Sequence, residues 1–174
     1  MAEPTFPESL ARIFSELLDG APVDAAYVLN AKDPGLLKSL DRLSAEDASA
    51  TPANGGASIA AHVDHLRYGL ELLNRWSDGE QPSGDADWAA SWDRLKVSEK
   101  EWAERRAALH RDADRWRQAL LRRRVLTATE QNGVAASVVN LAYHMGAIRQ
   151  INRTLRGPGA RESADSGIDP DQLG

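Results

Sequence analysis

The chain has 174 residues, with 26 Asp and Glu against 21 Lys and Arg for a net charge of −5, and no cysteine. That length predicts one domain with a substantial core. The acidic balance argues against general nucleic-acid binding and against electrostatic adhesion to anionic lipid, since both rest on cationic contacts, and the missing thiols exclude disulfides, thiolate metal ligands and a cysteine nucleophile.

The opening "MAEPTFPESL" has neither the basic start nor the apolar run of a signal peptide. No apolar stretch reaches the roughly 18 residues of a spanning helix, so the expectation is a soluble, cytoplasmic protein. A first helix is predicted from near Pro7 to near Gly20, because Leu10, Ile13, Phe14, Leu17 and Leu18 recur at helical spacing. Residues 24–57 are less regular. "LLKSLDRL" reads as a short helix or two turns, and "SATPANGGA" as loop. This connection is long enough to cross a bundle, so the first two long helices need not be antiparallel neighbours.

The second long helix is predicted over Ser58 to Trp76, with Ile59, Val63, Leu66, Leu70 and Leu73 on one face. His62 lies within that face. His65 lies about 60° further round, at the edge of the buried surface. "WAASWDRL" reads as a short helix that places Trp88 and Trp92 over the bundle. Ser98 and Glu101 form an S-x-x-E capping box, with Val97 and Trp102 at the staple positions, so a third helix should run from there to about Leu121. "TATEQNG" reads as a link to a fourth helix, about Val134 to Leu155, that "GPGA" ends. The predicted architecture is all-α: a four-helix bundle over 1–157, with a long crossover between the first two long helices. A polar, acidic, disordered tail is predicted over 158–174.

Two of the four histidines sit on the second helix, and His144 sits on the fourth, one turn beyond Asn140. Facing helices of a bundle are natural places for a metal site, and a catalytic zinc-type site takes three protein ligands with one position open. Asn140 offers only a hard amide oxygen, a poor ligand for zinc or nickel. His65 would be a neighbour of the site or a substitute ligand. The alternative is a buried polar cluster in which the Asn140 amide hydrogen-bonds both imidazoles. His110 has no partner pattern. Arg122, Arg123 and Arg124 follow a helix C-terminus and suit its dipole; the other reading is an anion clamp. Exposed indoles among Trp76, Trp88 and Trp92 would mark a dimer surface.

At these residues the chain resembles the DinB-like superfamily of four-helix bundles. "SIAAHVDHLRYGLELLNRW" is similar to the family's second-helix segment, "VVNLAYHMGAIRQ" to its fourth-helix segment, and "GLLKSLDRLSAED" to the stretch before the second helix. The resemblance covers Pro7 to Arg156. It implies a three-histidine metal site, thiol-dependent transferases and isomerases among the active members, and frequent dimers. Carried over, His62 matches the second-helix ligand and His144 the second histidine of the fourth-helix pair. Asn140 stands where the first is expected.

The expectation is therefore a metal-dependent enzyme of thiol-transferase or hydrolase type with a degenerate His62, Asn140, His144 site. It would use a divalent zinc or nickel ion, held weakly or not at all, and an external low-molecular-weight thiol. It would act on a small molecule as a homodimer, with no nucleic-acid or membrane partner. The alternative is a metal-free small-molecule-binding or scaffolding bundle.

Overall fold

A computed structural model describes residues 3–22, 26–53, 55–84, 86–122 and 126–159. Those residues form α-helices joined by turns and short 3-10 segments, with no strand among them. Four helices are long: α1 (Phe6–Asp19), α4 (Ile59–Ser77), α5 (Glu99–Leu120) and α6 (Ala128–Ile151). Two short ones, α2 (Gly35–Leu40) and α3 (Ala45–Ser49), lie in the crossover between α1 and α4, where the sequence left a short helix or two turns open. α1 packs against α2, α5 and α6, and α4 packs against α5 and α6. The predicted Arg123 and Arg124, and the tail from residue 160 onward, lie outside the described residues; Arg122 pairs with Asp78.

Local chemistry explains the helix starts. Ser44, Ser98 and Thr127 each accept a hydrogen bond from the N–H three residues on, and Asp47, Glu101 and Glu130 each reach back to the cap. Each such cap is worth about 1 kcal/mol. The box at Thr127 corrects the predicted start of the fourth helix. "TATEQNG" is its first turn and a half rather than a link, and Gly133 lies inside the helix. The far end is corrected too. α6 stops at Ile151 because Asn152 turns extended and its side chain accepts from the Thr154 N–H at 3.0 Å, which opens a 3-10 turn over Arg153–Leu155.

The core is filled by Phe14, Leu17 and Leu18 of α1, Leu36 and Leu40 of α2, Ile59, Val63 and Leu66 of α4, Trp102, Leu109 and Trp116 of α5, and Leu141 and Ile148 of α6. Both buried indoles on α5 find acceptors: Trp102 donates to the Leu43 carbonyl at 2.8 Å and Trp116 to Ser137 Oγ at 3.0 Å, as a buried Trp N–H requires.

Charged groups are buried where α1 meets the following segment and α6. Glu16 is 2% exposed, and its carboxylate accepts from the backbone N–H groups of Tyr27, Val28 and Leu29 at 2.6–2.8 Å. Asp33 takes a two-pronged bond from Arg149 at 2.7 and 2.9 Å and a third from the Gly35 N–H at 2.9 Å. Gly20 and Gly35 approach so closely that a Cβ on either would collide with backbone. Both also have positive φ, which glycine tolerates.

Candidate functional site

The N-cap Ser58 sets the phase of α4, and from it His62 and His65 project toward α6 and toward the segment that follows α4. That segment is fastened to α4 by three hydrogen bonds. The Asp87 N–H donates to Tyr68 Oη at 2.8 Å, Ser58 Oγ donates to the Leu95 carbonyl at 2.6 Å, and Ser91 Oγ meets His65 Nδ1 at 2.7 Å. A 3-10 turn over Ala90–Trp92 thus lies across the flank of α4. Trp92 stacks on His65 with ring centroids 4.2 Å apart and meets His62 edge-on at 5.2 Å.

The position expected for His65, at the edge of the buried surface, is corrected by this covering. His65 is as buried as His62, at 9% exposure each, and its ring lies 4.9 Å from that of His144, which is 2% exposed. Helical phase does place His65 on a flank, but Trp92 closes that flank. Asp64 and Glu71, the carboxylates nearest in sequence, are turned to arginines instead: Asp64 to Arg105 and Arg67, and Glu71 to Arg67.

His62 Nδ1 and His144 Nδ1 face one another at 2.9 Å, so one carries a proton and donates it to the other. The tautomer of His65 follows from its neighbour. The single hydroxyl proton of Ser91 goes to the Trp88 carbonyl at 2.6 Å, so Ser91 Oγ accepts from His65 Nδ1–H and the lone pair of His65 sits on Nε2. Burial lowers the pKa of all three rings; it drives His144 down to about 4, helped by the neighbouring His62 and His65. All three are therefore neutral at physiological pH, the state in which an imidazole ligates.

Asn140 is placed elsewhere. It is exposed, and among the described residues no hydrogen bond joins it to the histidines. It lines a cleft of about 590 Å³ between α4 and α6, walled by Leu66, Leu70, Trp76, Trp88 and Leu141 among others. Trp88 belongs to both regions: its ring lies 5.5 Å from His65, it stands over Gly69, and it remains 48% exposed.

The donor chemistry suits a borderline transition ion, since neutral imidazoles are ligands of zinc and nickel and no carboxylate competes. Two nitrogens already converge. Among the described residues, however, no group of three or more His, Cys, Asp or Glu is arranged to hold an ion. No described helix is long and apolar enough to cross a membrane. Sequence reasoning misses Ser91, which shows no signal beyond a small hydroxyl between Trp88 and Trp92.

A family model described as the DinB superfamily matches residues 34–147, a span that contains His62, His65, Ser91, Asn140 and His144 and leaves out α1. No curated protein and no solved structure matches the chain.

Proposed function

The chain belongs to the DinB superfamily, and from that premise we propose that it is a metal-dependent enzyme of thiol-transferase or hydrolase type acting on a small molecule. The observation that carries this reading is the meeting of three neutral imidazoles beside a cleft. His62 and His144 would hold the ion through the two nitrogens that already face each other. His65, through Nε2, would be the third ligand in place of the histidine that Asn140 replaces. A zinc or nickel ion so held supplies Lewis acidity, which lowers the pKa of a bound thiol or water. With no cysteine in the chain, such a thiol comes from outside.

The protein's own groups do the rest. The Trp88 carbonyl and Ser91 fix the tautomer of His65, the second-sphere arrangement that orients a ligating histidine. Trp92 packs against all three rings and shields them from solvent. The cleft receives the substrate. A homodimer, as the family resemblance implies, and a cytoplasmic location, as expected from the sequence, are part of the proposal.

One observation favours a second reading, a metal-free binding bundle: the His62–His144 hydrogen bond satisfies both Nδ1 atoms without an ion. Metal analysis of untagged protein after zinc or nickel loading separates the two. The enzyme reading expects one ion per chain, lost in His62→Ala and His144→Ala and weakened in His65→Ala. No stoichiometric metal under any loading condition leaves the metal-free reading.

A further inference from the structure

We infer that the cleft between α4 and α6 binds an uncharged, aromatic-sized organic molecule, with Asn140 as its hydrogen-bonding hook. This names the substrate class of the site proposed above and rests on that reading.

Charge is the first argument. None of the described side chains that line the cleft is ionisable, in a chain where 47 residues carry charge. A carboxylate, phosphate or ammonium in such walls finds no counter-ion and gives up part of its water shell, a cost that a neutral molecule of the same shape does not meet. Polar capacity is the second. Ser137 lines the cleft, but its hydroxyl is spent: it accepts from Trp116 Nε1 and donates to the Val134 carbonyl. Gln81, Thr129 and Asn140 also line the cleft, and none of their side chains has a hydrogen-bond partner among the described residues; of the three, Asn140 lies one turn before His144, and its amide both donates and accepts. It suits a neutral hydroxyl, carbonyl or amide.

Shape is the third. About 590 Å³ is within the usual range for small-molecule sites and exceeds what a water or an ion needs. Trp76 and Trp88 give flat apolar walls, against which an aromatic ring packs well. On the α6 side, Gly133, Ala136 and Ser137 form the small-residue part of the wall, between Thr129 and Leu141. A Cβ added at Gly133 would meet nothing within 4 Å, so the helix leaves room there. It does so although glycine in a helix interior is less stable than alanine. At its other end, Trp88 brings the cleft against His65. None of the three histidines lines the cleft itself; the Trp88 ring, which lines it and lies 5.5 Å from His65, is the link between the two.

Calorimetric titration at neutral pH with matched probes tests this, 2-naphthol as the neutral ring and 2-naphthoate as its anionic counterpart. The full chain is loaded with zinc and its metal content measured in parallel. The expectation is one 2-naphthol per chain, with 2-naphthoate at least tenfold weaker. Gly133→Leu, which fills the cleft with a better helix former and so keeps the fold, should weaken 2-naphthol at least tenfold. Asn140→Leu should weaken it severalfold while leaving naphthalene itself unchanged. Equal affinity for the two probes, no 2-naphthol binding, or indifference to Gly133→Leu would overturn the inference. His62→Ala separates it from the metal reading: metal lost with 2-naphthol retained supports the cleft assignment alone, and metal retained without 2-naphthol binding in the parent protein removes that assignment alone.

Discussion

Near α1, Glu16 and Asp33 are buried as carboxylates, and each oxygen of both has a donor: three backbone N–H groups on Glu16, and Arg149 and the Gly35 N–H on Asp33. Between α4 and α6, His62, His65 and His144 are buried with no counter-charge against them among the described residues, and two of the three rings, His65 and the donor of the His62–His144 pair, keep a free lone pair. In the first region burial of charge is compensated by saturation, which leaves nothing for a ligand and ties the chain between α1 and α2 in place. In the second, burial is tolerated because the rings are neutral, and unused nitrogen lone pairs remain. The difference separates polar groups that hold the fold from polar groups available to chemistry.

The largest effect should come from breaking the saturated region. Arg149→Met removes one partner and leaves Asp33 buried with its charge, so urea unfolding should show a loss of about 3 kcal/mol; a loss under half of that would mean water reaches Asp33. The neutral region should respond instead to acid. The pKa of His144 in the folded metal-free protein, about 4, lies below its unfolded value near 6.5. Between those values the unfolded chain binds the extra proton. The contribution of His144 is therefore complete above about pH 6.5 and lost as pH falls toward 4, on the order of 2–3 kcal/mol. Melting curves across that window should flatten in His144→Gln.

Ser91→Ala tests whether the spare nitrogens are set by their surroundings. Without the acceptor for Nδ1–H, His65 is free to change tautomer. Metal affinity should then fall about tenfold while the fold persists, as equilibrium dialysis against zinc and circular dichroism would report. The smallest effect lies outside both regions. Ser98→Ala removes a cap that bonds to none of the histidines and should lower stability by about 1 kcal/mol with no change in metal or probe binding.

Much of the fold was legible because amphipathic spacing is a local signal. Leu10, Phe14 and Leu17 place α1, and Ser98 with Glu101 starts α5 at the expected residue. The same S/T-x-x-E pattern at Thr127 and Glu130 is masked by Asn132 and Gly133, which resemble loop. At the site, helical phase brings His62 toward His144. It gives no information about what covers a flank, so the burial of His65 depended on where residues 86–97 fold back, and that is set by tertiary bonds to Tyr68 and Ser58. Asn140 shares a stripe with His144 on a helical wheel, yet one turn is enough to carry it from the cluster to the cleft.

Three bonds fasten residues 86–97 to α4 and its N-cap, and Val97 is held to Ser49 of α3 at their far end. Two imidazoles, their tryptophan cover and the Trp88 wall therefore form one mechanical unit, while α6 carries the third imidazole and the small-residue wall. The seam between the units runs through both the cluster and the cleft, and the His62–His144 bond crosses it. A displacement of α6 along or away from α4 would change the spacing of the nitrogens and the width of the cleft together, so the separation of two helices acts as a single coordinate for both.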